Sequence, residues 1–165
     1  MFIISLVIIA LSVIADQILK IVVNNNIDLY SVIPVIKFGD NKIFSLTHVR
    51  NSGAAWSIMS GKTWFLVFLP IAVCIFAIIY MYCNRKKSKV VLVGGALFVG
   101  GGIGNLIDRI RFGEVIDYIQ FEPVNFPVFN FADICVVIGM LIFVIAIICE
   151  DSQTQKKASS ENGKT

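Results

Sequence analysis

Two carboxylates in an otherwise apolar chain have the residue types needed for acid–base catalysis. Asp117 lies in the run 115–119, where apolar residues flank it on both sides, and Asp133 follows the mostly apolar stretch 126–132. Two carboxylates held close together do not both ionise easily, so they tend to share one proton. The ionised member can take a proton from water while the protonated member polarises a carbonyl group. The pair therefore predicts the chemistry of aspartic peptidases.

Patterns for other kinds of catalysis are missing from the sequence. His48 is the only histidine, no H-E-x-x-H motif occurs, and no C-x-x-C pair indicates a metal site. The run 61–63 matches the end of a phosphate-binding loop, but that motif requires glycine at position 56, where the chain has Trp56. We therefore expect neither a metal nor a cofactor.

The composition indicates that most of the chain lies in lipid. Of its 165 residues, 57% are hydrophobic and 15% charged, and the mean hydropathy is +0.83. A soluble domain is about 45–50% apolar and about 25% charged, and a small domain buries only about two thirds of its surface. Soluble globular and disordered proteins are thus both disfavoured. The net charge of +3, without a basic run interleaved with aromatics, predicts no nucleic-acid partner.

The scarce charges leave four apolar segments of the length that a membrane-spanning helix needs, about 20 residues. The first segment lacks a basic start and an A-x-A-like cleavage site, so we interpret it as a retained span rather than a cleaved signal peptide. A polar tail, 151–165, follows and is expected to be disordered. The predicted domain covers residues 1–150, with spans at about 2–23, 64–82, 90–107 and 130–149.

The loop between the second and third spans predicts the orientation. Residues 83–89 contain four basic side chains and no acid, which is typical of a cytoplasmic loop. Lys and Arg residues are equally numerous on the two sides of the membrane, so their density close to the ends of the spans decides the orientation. Both termini are then cytoplasmic, and the acids lie at the outer ends of the spans. No cysteine falls in an outer loop, so no disulfide framework is expected.

The first outer loop has the pattern of a β-hairpin. Tyr30–Phe38 and Lys42–Val49 are rich in β-branched and aromatic residues, and a Gly-Asp-Asn turn separates them. Pro34 predicts that the first of these strands lies at an edge. The predicted fold class is an all-α polytopic membrane protein with four transmembrane helices and a small extracytoplasmic β-hairpin.

Two further acids have ordinary structural interpretations beside the functional one. Asp16 lies inside the predicted end of the first span, where an acid is costly and is a functional hypothesis by default. Asp16 and Lys20 are also spaced i, i+4, as in an interfacial ion pair. Asp108 beside Arg109 is best interpreted as a charge pair at a helix end.

Residues at the start of the fourth span and within the third span also have structural interpretations, in helix capping and in helix packing. With Asn130 at the N-cap, Asp133 falls at the N3 position, where an acid complements the helix dipole. In the third span, Ala96, Gly100 and Gly104 share one face at a spacing of four, which is the close-packing pattern of membrane helices. We interpret these glycines as structural.

The chain resembles the lipoprotein signal peptidase family, the type II signal peptidases, over about residues 3–150. Five blocks occur in the order of the family, and together at this spacing they are highly specific. They are DQILK (16–20), THVRNSGAA (47–55), GNLIDR (104–109), GEVIDYI (113–119) and FNFAD (129–133).

The resemblance implies a bacterial inner-membrane aspartic endopeptidase with four spans and cytoplasmic termini. Such enzymes cut prolipoproteins before a diacylglyceryl-modified cysteine, and cyclic peptides of the globomycin type inhibit them. The first outer loop would form a β-cradle on the membrane lipid, and a short extracellular helix would lie between spans 3 and 4. We expect a monomer. The implied catalytic pair is Asp117 and Asp133, and the implied substrate-binding or supporting residues are Asp16, Lys20, Asn51, Gly53, Asn105, Arg109, Asn130 and Ala132.

Two other classes of function remain open from the residues alone. One is a small transporter or channel subunit with Asp16 as its proton or cation site. Against it, Asp117 and Asp133 lie outside the helix interiors, and no inverted repeat is visible. The other is a structural membrane module whose outer hairpin binds a partner. Cleavage of a lipidated precursor that depends on the two aspartates separates the peptidase from both.

Overall fold

A computed structural model describes residues 2–53, 63–85 and 88–162. In these ranges the chain forms four long helices and one small antiparallel sheet. The elements in chain order are α1 (Phe2–Asn26), β1 (Val32–Phe38), β2 (Asn41–Asn51), α2 (Thr63–Cys83), α3 (Lys89–Phe112), β3 (Val115–Phe121) and α4 (Phe131–Asn162).

The described helices are long and apolar enough to cross a membrane, as the sequence predicts. α3 lies at the centre, because half of its most apolar 18-residue window is buried, against 22% in the other three helices. Large apolar side chains such as Ile3, Phe76 and Ile145 point outward and are more than half exposed. An exposed apolar surface of this extent is suited to lipid rather than to water.

Small residues on α3 let its neighbours approach closely. A Cβ atom added to Gly100 would lie 2.7 Å from the Cβ atom of Ser12, and one added to Gly104 would lie 2.6 Å from a carboxylate oxygen of Asp16. Ala96, on the same face, is fully buried. The prediction that this stripe serves helix packing is confirmed, and the packing brings α1 against the half of α3 that holds the polar residues.

The sheet lies at the bundle end where α1 and α3 terminate and α4 begins, which we call the sheet end. Its strand order is β1-β2-β3, with both pairs antiparallel. The predicted hairpin is confirmed, with Val32 opposite Thr47 and Phe38 opposite Asn41. β1 is an edge strand, as Pro34 predicts.

The segment between α3 and α4 differs from the expectation. The resemblance implies a short helix here, but residues 115–121 form β3, which pairs with β2 and places Asp117 opposite Val49. β-branched and aromatic residues favour a strand, and β2 offers a partner because its edge opposite β1 is free to pair. Gly113, at φ 75°, ends α3 and turns the chain into this strand.

The last helix extends beyond the fourth predicted span. α4 continues past residue 149 to Asn162, so residues 151–162 of the polar tail belong to it. Propagating a helix that is already formed costs little, and this tail is rich in Gln, Lys, Ala and Glu, which are good helix formers.

Candidate active site

The predicted site residues gather at the sheet end from five different elements. α1 contributes Asp16 and Lys20, and β2 leads into Asn51 and Gly53. α3 contributes Asn105 and Arg109, β3 contributes Asp117, and the start of α4 contributes Asn130, Ala132 and Asp133. Hydrogen bonds and ion pairs join all ten residues into one network. Residues more than a hundred positions apart in the sequence thereby form one site.

Asp117 is buried and accepts hydrogen bonds on both carboxylate oxygens. Asn51 Nδ2 donates to it over 2.8 Å and Asn130 Nδ2 over 2.7 Å. Burial and the nearby charge of Asp133 raise the pKa of Asp117 from 3.8 to about 7, against the opposite effect of the two asparagines. At neutral pH this carboxyl is therefore divided between its protonated and ionised forms.

Asp133 lies both at the start of α4 and in the candidate site. Asn105 Nδ2 donates to its Oδ1 over 2.7 Å, and the backbone N–H of Asn130 donates to its Oδ2 over 3.0 Å. Its own backbone N–H donates to Asn130 Oδ1 over 2.9 Å, which completes a reciprocal cap. The capping interpretation is confirmed, and the same carboxylate lines the cavity between the two aspartates.

The amide orientations of Asn105 and Asn130 follow from one cation. Lys20 Nζ donates to Asn105 Oδ1 over 3.0 Å, and because an ammonium group only donates, the oxygen of that amide must face it. The NH₂ group of Asn105 then faces Asp133. Asn130 Nδ2 donates to the same Asn105 oxygen over 3.0 Å and to Asp117. Both aspartates therefore receive donors whose direction Lys20 helps to fix.

Lys20 is itself buried between two carboxylates. Its Nζ atom lies 2.8 Å from Asp16 Oδ2 and 3.0 Å from Asp108 Oδ2, and its side chain is only 2% exposed. Asp16 also accepts from the backbone N–H of Ala132 over 3.1 Å, at the first turn of α4. The i, i+4 pair of Asp16 and Lys20 is thus real, but it is buried rather than interfacial. An aspartate so fully occupied is a poor candidate for the ion site of a transporter.

Two members of this cluster were not predicted as site residues. Asp108, interpreted from sequence as the partner of Arg109, instead pairs with Lys20 and accepts from the backbone N–H of Ile116 over 3.2 Å. Gln17 Nε2 bridges α1 to α3 by donating to Asp108 and to the Gly104 carbonyl. Asp108 lies one helical turn after Gly104, on the face that the sequence predicts to pack against another helix, and that spacing is the signal that could have found it.

A cavity of about 330 Å³ opens between the two aspartates. Asn51, Asn105 and Arg109 form its polar wall, and Arg109 donates to the Gly53 carbonyl over 3.2 Å. The rest of its lining is an apolar wall formed by Val115, Val137 and residues 126–129. A molecule bound in this cavity would contact both carboxylates. Within the described ranges, no three His, Cys, Asp or Glu side chains are grouped to hold a metal ion.

Known proteins resemble this chain over most of its length. A family model described as Signal peptidase (SPase) II matches residues 8–149. A lipoprotein signal peptidase of Lactiplantibacillus plantarum is 35% identical over 149 residues, which cover 90% of this chain and 97% of the relative. One from Halothermothrix orenii is 39% identical over 139 residues, 84% of this chain and 91% of that protein. A solved structure of a bacterial membrane enzyme superposes with a TM-score of 0.80 at 32% identity, over 90% of each chain.

Replacing Lys20 tests the dependence of the site on its buried cation. Lys20→Met is expected to lower the free energy of unfolding by about 3–5 kcal/mol, because it leaves Asp16 and Asp108 buried without a counter-charge. Unfolding of the detergent-solubilised protein by heat or denaturant measures the loss. The matched control is a triple variant that adds Asp16→Asn and Asp108→Asn to Lys20→Met. It is expected to recover much of the lost free energy of unfolding. Wild-type stability in the single variant would contradict the prediction.

Proposed function

The chain belongs to the signal peptidase II family, and from that membership we propose that it releases signal peptides from prolipoproteins through the Asp117–Asp133 pair. The proposed reaction hydrolyses the peptide bond before the diacylglyceryl-modified cysteine, using an activated water. The observation that carries this proposal is that Asp117 and Asp133, from β3 and α4, line one cavity with an asparagine donor directed at each.

The two aspartates have different environments, which support different roles. Asp117 keeps its proton in a large fraction of the molecules at neutral pH because its pKa is raised to about 7, so it is suited to act as the acid. Asp133 is less buried than Asp117, and Asn105 Nδ2 and the backbone N–H of Asn130 donate to its two oxygens. We assign the base to Asp133 and the acid to Asp117.

The proposed steps use one water and return the pair to its starting state. Asp133 takes a proton from water, and the resulting hydroxide attacks the carbonyl carbon, whose oxygen accepts a hydrogen bond from protonated Asp117. When the C–N bond breaks, Asp117 gives its proton to the departing amine of the modified cysteine. The proton on Asp133 then passes to Asp117. No covalent acyl-enzyme forms.

The position of the cavity is suited to a substrate that cannot leave the bilayer. A diacylglyceryl group stays in lipid, so the scissile bond must be cleaved at the level where the spans end. The cavity lies at that level, at the sheet end of α3 and α4. Its apolar wall, which includes Val115 and Phe129, offers contacts for the hydrophobic part of a signal peptide. Globomycin-type peptides would occupy the same cavity as competitors.

We further propose that the protein lies in the bacterial inner membrane as a monomer with both termini in the cytoplasm. The basic loop 83–89 supports this orientation, since such loops stay on the cytoplasmic side. The sheet end and the cavity then face the outside of the cell membrane. Prolipoproteins that have been translocated and lipidated would reach the cavity from that side.

Cleavage of matched precursors tests the proposed function. The purified protein is expected to release the signal peptide from a diacylglyceryl-modified prolipoprotein and to leave the non-lipidated form of the same precursor intact. Electrophoretic separation of precursor and product measures the rate for each. Equal cleavage of both forms would contradict the substrate assignment, and cleavage of neither would contradict the function.

Substitution of each aspartate tests the catalytic assignment. Asp117→Asn and Asp133→Asn are each expected to lower the cleavage rate by about 10²–10⁴-fold, which is the usual contribution of general acid–base catalysis. Both variants should still insert and purify as folded protein. Asp40→Asn is the matched control, because Asp40 is an exposed acid in the turn between β1 and β2. Full processing by either active-site variant would rule out the pair.

The pH profile tests the role of Asp117 as the acid. kcat/KM is expected to fall about tenfold per pH unit above about 7, because Asp117 loses its proton there. Stability should fall as pH rises from about 4 to about 7, since the folded state binds this proton more tightly than the unfolded state. Rates between pH 5 and 9 on the lipidated precursor measure the profile. A rate that rises through pH 7 would assign the base to Asp117 instead.

A further inference from the structure

A second cavity, of about 210 Å³, lies at the sheet end beside the buried ion cluster, with Lys20 and Asp108 in its lining. It shares no lining residue with the cavity between the aspartates. Its wall includes Asn24 of α1, Arg50 of β2, and Arg111 and Phe112 at the end of α3. We call it the arginine pocket. The proposed reaction does not use it.

Two guanidinium groups meet at one aromatic ring in this pocket. The Arg111 guanidinium lies 4.8 Å and that of Arg50 5.4 Å from the centroid of the Phe112 ring. Arg50 also donates to Asn24 Oδ1 over 2.5 Å. Within the described part of the chain, no carboxylate lies within ion-pair distance of either arginine. Two like charges held together without a counter-charge favour the binding of an anion.

The floor of the pocket does not cancel this positive charge. Asp108 lines the floor, but its carboxylate is already paired with Lys20 Nζ at 3.0 Å and accepts from the Ile116 N–H at 3.2 Å. Gln17 donates a further hydrogen bond to it over 3.0 Å. The free donor capacity therefore lies at the mouth, on the two arginines.

The depth of the pocket indicates a membrane lipid as the source of the anion. α1 ends at Asn26 and α3 at Phe112, so the arginines lie where two membrane-spanning helices end, at the level of lipid headgroups. Below them Ile21, which also lines the pocket, is 54% exposed and offers an apolar surface for an acyl chain. Cationic side chains above an apolar surface match a phospholipid.

We propose that the arginine pocket binds the phosphodiester group of an anionic glycerophospholipid, with Arg50 and Arg111 as its donors. The diacylglyceryl group of a prolipoprotein contains no phosphate, so the ligand of this pocket is distinct from the proposed substrate. The inference therefore does not rest on the proposed function.

Lipid binding to the purified full-length protein tests the proposal. The protein in neutral detergent is titrated separately with phosphatidylglycerol and phosphatidylcholine, and bound lipid is counted by native mass spectrometry. The wild type is expected to bind one phosphatidylglycerol at least about tenfold more tightly than phosphatidylcholine, since each basic group near an anionic lipid contributes a factor of about five. Arg50→Gln combined with Arg111→Gln should abolish that preference.

A matched arginine at the opposite end serves as the control. Arg85 stacks on Tyr82 at 4.2 Å, so Arg85→Gln removes the same kind of contact and should leave the preference intact. Arg111→Gln alone, at an exposed side chain, should reduce the preference about fivefold without affecting the fold. Equal affinity of the wild type for both lipids would overturn the proposal, as would an equal loss in Arg85→Gln. Displacement of the lipid by millimolar inorganic phosphate would assign the pocket to a soluble phosphate instead.

Discussion

The site depends on one buried cation, the ammonium group of Lys20. An ammonium group placed in a membrane protein needs negative partners on several sides, and here Asp16 and Asp108 supply them at 2.8 and 3.0 Å. Its third donor is directed at Asn105, whose amide must then present NH₂ to Asp133. The ammonium group can only donate, so the amide oxygen of Asn105 must face it. Lys20 thereby also fixes the direction of the hydrogen bond from Asn105 to Asp133.

That cluster is possible only because the helices approach closely. Gly104 has no side chain where Asp16 lies, and any Cβ atom there would collide with the carboxylate. A larger residue would push α1 away from α3, and water or lipid would then separate Lys20 from Asp108. In lipid an unpaired charge costs several kcal/mol. The charge pairs therefore require close packing of the helices, and the close packing is stable only when the charges are paired. Gln17 adds to both, since it donates to the Gly104 carbonyl and to Asp108.

The sequence predicts the spans, the hairpin and the carboxylate pair because each has a local signal. Long apolar segments indicate helices, and alternation about the turn at Gly39 indicates β1 and β2. β3 was missed because a strand of seven residues following a helix has no hairpin turn of its own and is stabilised by a partner distant in sequence. Asp108 was assigned to the wrong partner for the same reason, since an adjacent arginine is visible in the sequence and a lysine 88 positions away is not.

Asn130 shows why capping and the geometry of the site cannot be separated in this protein. Its backbone N–H and its side-chain oxygen form the reciprocal cap with Asp133, while its NH₂ group donates to Asp117 over 2.7 Å. The start of α4 therefore fixes both carboxylates relative to each other through one residue. Under the proposed function, a bound peptide would meet two carboxylates whose relative position is fixed by hydrogen bonds to one residue at a helix start. The structural interpretation of Asp133 as a cap and the functional one as a base are in this way the same arrangement of atoms.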